Sequence, residues 1–216
     1  MTAGRYVATS WMPLTSARAC LGRSVRLMAM TLRPLGTDPD SGQLKQEVER
    51  WYSEEDARHW MGDGFNARIF LERISGPGTS AVDDQRSNHR CATLGWVLFD
   101  DANRPVAFMG GDVTVKRALT TAEDGQVIWK KDGPRTLGFT YVVAPEHRGQ
   151  RYGRKLVRAA LEHETLAEVD VLSCSIDRKN EASVKLIRGI PEFRETGGDD
   201  KSAFFEYERS TRPHSE

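Results

Sequence analysis

The chain has no surplus of charge and no long apolar run. Its 31 Lys and Arg residues balance 31 Asp and Glu residues, so no net field favours nucleic acid or an anionic membrane surface. No apolar stretch approaches the roughly 20 residues that cross a bilayer. We therefore predict a protein that has neither a nucleic-acid nor a membrane partner.

Cysteine is scarce as well. Cys20, Cys91 and Cys174 are odd in number, far apart and without metal-ligand spacing, which predicts no metal site and favours a reduced, cytoplasmic protein. The first 37 residues contain five arginines and no acidic residue, a bias that an organellar transit peptide would also show. Because residues 25–32 are better explained as a strand, the cytoplasmic interpretation is preferred.

The length of 216 residues suits one domain with a hydrophobic core. We predict a disordered N-terminal extension over residues 1–22, a single domain over 23–210 and a C-terminal tail over 211–216. Hydrophobic periodicity predicts strands at 25–32, 92–99, 105–115, 136–143, 169–176 and 203–208, and helices at 43–61 (broken near Ser53), 65–74, 149–164 and 182–188. Residues 117–134 are predicted to form a long polar loop. This order predicts an α/β fold, a mixed sheet with helices on both faces.

Residues 142–156 run from an apolar strand through a short turn into a basic helix start. Unpaired N–H groups and the dipole at a helix N-terminus bind phosphate oxygens, and glycines at 149 and 153 allow close approach. An ordinary strand-to-helix turn would show the same features. No Lys-Ser or Lys-Thr pair follows, which excludes a P-loop, and the spacing fits the dinucleotide fingerprint poorly.

The segment resembles motif A of the GNAT superfamily, the acetyl-coenzyme A-dependent N-acetyltransferases. In that family a strand ending in Val-x-Pro leads to Arg/Gln-x-x-Gly-x-Gly/Ala; here residues 143–145 are Val-Ala-Pro and residues 148–153 are Arg-Gly-Gln-Arg-Tyr-Gly. Arg151 stands where the family usually has its central glycine. We expect its backbone to stay in the ordinary helical region, because a side chain is disfavoured elsewhere.

Residues 177–187 and 191–193 resemble motif B of the same superfamily. Asn180 matches the Asn that reaches the pantetheine arm, and Phe193 matches the closing Phe. The Asn-x-Ala-Ser sequence at residues 180–183 is similar to the corresponding motif in the branch of ribosomal-protein N-terminal and aminoglycoside acetyltransferases. A helix N-cap explains Asn180 equally well, and the two roles are compatible.

The resemblance implies a mostly antiparallel sheet of six to seven strands that splays open at the cofactor site. It implies acetyl-CoA as co-substrate, with no metal. The backbone of one strand would pair with pantetheine and with the thioester carbonyl, and the following turn would hold the pyrophosphate. The implied cofactor-binding residues are Tyr141, Val142, Val143, Arg148, Gly149, Gln150, Arg151, Tyr152, Gly153, Asn180 and Ser183.

The group that assists the leaving sulfur departs from the common pattern. Many members have a Tyr seven residues after the motif B Asn, but here that residue is Ile187. By analogy with the Asn-x-Ala-Ser branch, Ser183 takes the role; a Ser at a helix start that only bonds backbone is the alternative. Tyr141 and Tyr207 are further candidate donors.

The candidate general base is Asp112, which follows a Gly110-Gly111 pair whose presence suggests a β-bulge. Glu146 and His147 adjoin motif A, but both are more simply explained as surface residues. An amine can also lose its proton to a chain of water molecules, so a dedicated base is not required.

The acceptor is predicted to be a primary amine, and two classes stay open. One is a polyamine or an aminoglycoside, drawn to a cleft lined by acids; the other is a protein N-terminus or lysine. A catalytically silent CoA-binding regulatory domain is the alternative to an enzyme, suggested by Arg151 and Ile187. The sequence does not determine the oligomeric state, and a homodimer is allowed. The acids expected to line the cleft are Asp100, Asp101, Asp112, Glu123 and Asp124.

Overall fold

The fold is built on one seven-stranded sheet. The computed structural model describes residues 30–74 and 88–208, so the predicted extension over 1–22 and tail over 211–216 lie outside the described residues. The strands are β1 (Thr31–Pro34), β2 (Asn88–Phe99), β3 (Pro105–Thr121), β4 (Val127–Val143), β5 (Val171–Asp177), β6 (Arg194–Gly198) and β7 (Ser202–Glu208). The helices are α1 (Ser41–Ser53), α2 (Glu55–Met61), α3 (Ala67–Glu72), α4 (Tyr152–Leu161) and α5 (Glu181–Arg188).

The strands lie in the order β1-β2-β3-β4-β5-β7-β6. Only β4 and β5 are parallel; every other neighbouring pair is antiparallel. A parallel pair needs a crossover connection, and α4 provides it. The predicted fold class, a mixed and mostly antiparallel sheet with helices, is confirmed.

Both faces of the sheet are covered by helices. Leu156 and Val157 of α4 and Ile187 of α5 are fully buried against one face. Val48 and Trp51 of α1 are buried against the other, together with α3. Each fully buried aliphatic side chain contributes about 1.5–3 kcal/mol to the stability of the fold. β4 lies between these two cores and is held in place by burial on both of its faces.

The prediction of a loop over residues 117–134 is wrong. There β3 and β4 continue as a hairpin, pairing from Arg117↔Lys131 to Thr121↔Val127, and the backbone N–H of Ala122 donates to the carbonyl of Gln126 across the turn (2.8 Å). Exposed side chains lie on both faces of this ribbon, Leu119 on one and Ile128 on the other. A strand that buries neither face lacks the apolar alternation from which strands are predicted. β6 was missed for the same reason, because all five of its residues are exposed.

Two smaller expectations have mixed outcomes. The helix break near Ser53 is confirmed, since Glu54 has an extended backbone (φ −61°, ψ 143°) between α1 and α2. The first strand is observed at Thr31–Pro34, and much of its predicted span, 25–29, lies outside the described residues.

The β-bulge predicted at Gly110-Gly111 is wrong. The register between β3 and β4 runs without a shift from Ala107↔Val143 to Val115↔Arg135. The glycines serve close packing instead: a Cβ on Gly111 would lie 2.0 Å from the carbonyl oxygen of Gly138, and one on Gly110 would lie 2.6 Å from the Phe108 ring. These positions exclude a side chain, although their backbone is regular.

Within residues 30–74 and 88–208, no helix is both long and apolar enough to span a membrane. The same residues contain no group of three or more His, Cys, Asp or Glu side chains placed to hold a metal ion.

Candidate active site

The sheet opens between β4 and β5. The two strands pair at only three positions, the last of them Gly138↔Ser173. Beyond that point β4 stays paired with β3 as far as Val143, and β5 stays paired with β7 as far as Asp177, so the strands part. An extended ligand can enter such a gap and bond to strand backbone as an added strand does.

The turn after β4 carries a row of backbone donors. Residues 145–147 form a 3-10 turn and α4 begins at Tyr152. Among the described residues, no acceptor bonds the N–H groups of residues 149–154. Consecutive free N–H groups at a helix N-terminus are suited to the oxygens of a pyrophosphate.

Arg151 has a left-handed backbone, with φ +65° and ψ +16°. The expectation that it stays in the ordinary helical region is therefore wrong. The turn that leads into α4 holds the residue before the helix at a positive φ, a conformation that glycine adopts freely. A residue with a side chain is disfavoured there by about 1–2 kcal/mol.

Replacing Arg151 by glycine is expected to stabilise the protein. The relief of the left-handed strain exceeds the extra backbone entropy of glycine in the unfolded chain, giving up to about 1 kcal/mol. Thermal unfolding measures the change. Arg158→Gly is the matched control, because Arg158 is exposed inside α4, where glycine costs about 1 kcal/mol. A lower melting temperature for Arg151→Gly would contradict the left-handed assignment.

Gly153 lets α4 approach α5 and β4 closely. It is buried, and a Cβ on it would lie 2.6 Å from Cδ1 of Leu186, 3.5 Å from Cγ2 of Val143 and 3.8 Å from the Tyr141 ring. The second motif A glycine therefore sets the distance between the free N–H groups of residues 149–154, which we call the cradle, and the residues of β4 that line the gap.

Arg148 connects the cradle to α2. Its Nη1 lies 3.0 Å from Oδ2 of Asp56. An exposed ion pair of this kind contributes only about 0–1 kcal/mol, so the guanidinium can exchange the carboxylate for a phosphate. The sequence analysis did not identify Asp56, because nothing in its local pattern indicates this distant contact.

Asn180 is the N-cap of α5. Its side-chain oxygen accepts a hydrogen bond from the backbone N–H of Ser183 (3.1 Å), so the N-cap alternative is confirmed. The amide NH₂ of Asn180 has no hydrogen-bond partner within the part of the chain that the structure describes, which leaves a donor for a ligand. The predicted role toward pantetheine remains a prediction.

Tyr141 and Ser183 come together beside the gap. The Tyr141 hydroxyl is buried and has no hydrogen-bond partner among the described residues. Burial raises the pKa of Tyr141 well above its usual range, while the neighbouring Ser183 hydroxyl acts weakly in the opposite direction. The two hydroxyls are thus adjacent without a hydrogen bond of normal geometry. The phenol therefore stays protonated and has an O–H to donate.

A buried thiol lies beside the same pair. Cys174 on β5 is close enough to Tyr141 to influence its ionisation, and burial raises the pKa of the Cys174 thiol to about 12. It is therefore a neutral, apolar part of the wall and not a nucleophile.

Asp112 lies on the other face of the sheet. It is directly opposite Gly138 in the β3–β4 ladder, and residues of β4 alternate between faces, so Tyr141 points away from it. Asp112 accepts a hydrogen bond from the Thr93 hydroxyl (2.6 Å) and lies 3.5 Å from Nη1 of Arg90. The structure brings Ser183 and Tyr141 together but places Asp112 apart, at the level where the gap begins.

Thr140 ties α1 and α2 to the wall of the gap. Its hydroxyl accepts a hydrogen bond from the buried Tyr52 hydroxyl (3.4 Å) and donates to Sδ of Met61 (3.2 Å). Burial raises the pKa of Tyr52 well above its usual range, so it remains a neutral donor. The sequence does not predict these two hydrogen bonds, because it shows Thr140 only as a polar residue within a strand.

The predicted acidic cleft does not exist as one site. Asp100 and Asp101 lie at the β2–β3 turn, whereas Glu123 and Asp124 lie at the β3–β4 turn, at opposite ends of the 17-residue strand β3. Burial favours the neutral acid at Asp100, but hydrogen bonds from the backbone and guanidinium of Arg104 outweigh it and hold the pKa of Asp100 below its usual range. Of the five acids, only Asp112 lies near the gap.

The remaining candidates lie outside the gap. Tyr207 is opposite Leu172, where β4 and β5 are still paired, and it packs on Phe193 in the core, so it is not a leaving-group donor. Glu146 is exposed. His147 is half-buried, with its ring edge-to-face on Tyr152 (5.7 Å).

Solved structures with this fold include N-acetyltransferases. A spermidine N-acetyltransferase from Vibrio cholerae, in complex with CoA and spermine, is 15% identical, with a TM-score of 0.55 over 84% of this chain and 96% of that one. The aminoglycoside acetyltransferase AAC(6')-Ib, in complex with coenzyme A and kanamycin, is 18% identical, with a TM-score of 0.52 over 84% and 95%. A putative acetyltransferase from Acinetobacter baylyi is 12% identical, with a TM-score of 0.54 over 88% and 98%. No curated protein sequence matches the chain.

The splayed sheet and the helix-start cradle define an acyltransferase fold. The model of the acetyltransferase (GNAT) family matches residues 43–189, more than half of the chain. The chain belongs to the GNAT acetyltransferase family, which confirms the resemblance drawn from motifs A and B.

Proposed function

We propose that this protein transfers the acetyl group of acetyl-CoA to a primary amine by direct attack in a ternary complex. The observation that carries the proposal is the continuity of the site. The gap between β4 and β5, which opens after Gly138↔Ser173, leads to the free N–H groups of residues 149–154. A ligand with a linear arm and a pyrophosphate matches both parts.

The residues present fit acetyl-CoA at three points. The edge of β4 beyond Gly138 offers backbone groups to the amides of pantetheine. The cradle offers N–H groups, with Arg148 as an exchangeable cation. The buried Tyr141 hydroxyl has no hydrogen-bond partner among the described residues, and an unmade bond of this kind costs about 1–3 kcal/mol, which a ligand at the gap would recover.

When bound, acetyl-CoA supplies an activated thioester. The backbone of residues 141–143 orients it, and a main-chain N–H near Val143 can hold the developing charge on the carbonyl oxygen. Ser183 and Tyr141 act on the leaving sulfur. Because burial keeps the phenol protonated, Tyr141 donates a hydrogen bond, either directly or through Ser183, and does not ionise.

The amine must lose a proton before or during attack. Asp112 is the proposed base, supported by its place at the level where the gap opens. Its carboxylate lies 3.5 Å from Nη1 of Arg90. A chain of water molecules provides the other route.

The acceptor is either a small amine, such as an aminoglycoside, or a protein N-terminus or lysine. The acidic residues predicted to line one cleft lie at separate places, so the sequence argument for a small positively charged amine no longer holds. Thiol release in the presence of aminoglycosides, polyamines, N-terminal peptides and lysine peptides distinguishes them. Activity confined to peptides would exclude the small-molecule class.

Calorimetric titration with acetyl-CoA tests the cradle. We expect stoichiometric binding that Arg148→Ala weakens by about 10-fold to 100-fold, because a hydrogen bond to a charged group contributes about 1.5–3 kcal/mol. Asp56→Asn is the matched control. It also breaks the ion pair but leaves the guanidinium free, so affinity should be kept or increased.

Three results would change the assignment. No binding of acetyl-CoA would mean that motif A is only a structural turn, and the proposal would be abandoned. Equal weakening by Asp56→Asn and Arg148→Ala would show that the ion pair, and not a phosphate contact, matters. Tight binding without turnover on every amine tested would favour the silent CoA-binding domain.

A further inference from the structure

One carboxylate connects the two ends of α5. Oε2 of Glu195 on β6 accepts a hydrogen bond from Nη2 of Arg188, the last residue of the helix (2.7 Å). Oε1 of Glu195 accepts a second one from Nη1 of Arg178, which lies in the turn before the helix (3.0 Å). These two guanidinium groups hold the pKa of Glu195 below its usual range, so the carboxylate is charged at neutral pH. Glu195 therefore anchors α5 to β6 at two points.

The hairpin of β6 and β7 also holds the turn before α5. Nε of Arg178 donates to the backbone carbonyl of Asp199 (2.7 Å), and the backbone N–H of Arg178 donates to the carbonyl of Lys201 (2.7 Å). Gly198 leaves room for this contact, because a Cβ on it would lie 3.1 Å from Nη2 of Arg178. The Arg178 side chain is thus fixed by the hairpin turn as well as by Glu195.

The start of α5 carries a group that we propose for the reaction. Asn180 caps the helix by accepting a hydrogen bond from the backbone N–H of Ser183 (3.1 Å), and the Ser183 hydroxyl neighbours Tyr141 beside the gap. The buried side chains of Val184 and Ile187 hold this eight-residue helix on the sheet. Because apolar packing is not directional, the hydrogen bonds at the two ends of the helix determine its exact position.

We infer that Glu195 is a positioning residue for acetyl transfer, which fixes through the two guanidinium groups where α5 presents Ser183 to the gap. The inference rests on the proposed function. β7 and β5 lie between β6 and the gap, so Glu195 acts on Ser183 without contacting the reacting atoms. A displacement of about 1 Å can lower a rate by about 100-fold, so even a small shift of α5 is measurable.

The substitution Glu195→Gln tests this role. It keeps the size of the side chain but removes the charge that pairs with both guanidinium groups, so kcat for thiol release should fall by about 10-fold. The melting temperature should stay within about 3 °C of the wild type, because partly exposed ion pairs contribute little to stability. Glu72→Gln is the matched control. It breaks the exposed ion pair with Arg68 on α3 (3.0 Å) and should leave kcat unchanged.

A double-mutant cycle with Ser183→Ala distinguishes positioning from a general structural effect. In the Ser183→Ala background, Glu195→Gln should lower kcat much less than it does in the wild type, because the group that it positions is already absent. Equal losses in the two backgrounds would overturn the inference. So would a full kcat for Ser183→Ala alone, since Ser183 would then have no part in the reaction.

Hydrogen exchange measured by NMR needs no turnover. The exchange rate of the Ser183 backbone N–H should rise by up to about 10-fold in Glu195→Gln, because the start of α5 opens more often without its anchor. An unchanged exchange rate would overturn the inference even in an active enzyme, and the proposed function would stand. A wild type that acetylates no amine would contradict the proposed function and, with it, any role of Glu195 in acetyl transfer.

Discussion

The double substitution Tyr141→Phe with Ser183→Ala should lower kcat by about 10²-fold to 10³-fold, the usual cost of removing a preorganised donor at a site of developing charge. Each single substitution should cost less, and the two losses should not add, because the adjacent hydroxyls serve the same leaving sulfur. Steady-state rates of thiol release at saturating acetyl-CoA measure the effect, because loss of the Tyr141 donor should also weaken acetyl-CoA binding.

The melting temperature of Tyr141→Phe distinguishes a catalytic role of the Tyr141 hydroxyl from a structural one. The Tyr141 hydroxyl is buried without a hydrogen-bond partner among the described residues, so Tyr141→Phe removes an unsatisfied group while the ring still packs near Gly153. The melting temperature should therefore stay the same or rise as kcat falls. A variant that loses activity only in proportion to lost folded protein, or that keeps full kcat, would remove Tyr141 from the mechanism.

The substitution Gly111→Ala should destabilise the fold by about 3 kcal/mol or more. A Cβ there would lie 2.0 Å from the carbonyl oxygen of Gly138 and 2.8 Å from Cα of Phe139. These are backbone atoms of the neighbouring strand, so the clash cannot be relieved by turning a side chain, and overpacking already costs about 1–3 kcal/mol where side chains can move. Urea unfolding at equilibrium measures the change.

Gly138→Ala is the matched control in the facing strand. A Cβ on Gly138 meets no atom within 4 Å, so we expect its free energy of unfolding to change by less than about 1 kcal/mol. Similar losses for the two variants would mean that the β3–β4 spacing is more adaptable than the structure indicates.

The parts of the site that local chemistry encodes were predictable from sequence. Gly149 and Gly153 lie at the start of α4, and Asn180 is the N-cap of α5. Because a helix start has a fixed geometry, these residues form the short sequence patterns by which motifs A and B were found. The strands that bury one face, such as residues 136–143, were predictable for a similar reason: apolar alternation is the direct record of burial.

Other features depend on contacts between distant residues and left no local pattern. The ion pair between Arg148 and Asp56 joins residues 92 positions apart. The left-handed backbone of Arg151 was obscured because an arginine stands where glycine signals that conformation. The hairpin between Arg117 and Lys131 and strand β6 were missed, because exposed strands carry no apolar alternation. Asp112 was predicted near the site, but the sequence does not show which face of the sheet it occupies.

Within residues 30–74 and 88–208, three ladder positions, the last of them Gly138↔Ser173, are the strand pairs that join β1–β4 to β5–β7. The described part of the sheet is therefore two sub-sheets that meet at a short seam, and beyond Gly138↔Ser173 the facing edges of β4 and β5 pair with no described strand. A ligand that lies along the open edges adds the strand that the sheet is missing. Occupancy of the site and cohesion of the two halves are then linked, because part of the free energy of binding also holds the two sub-sheets together.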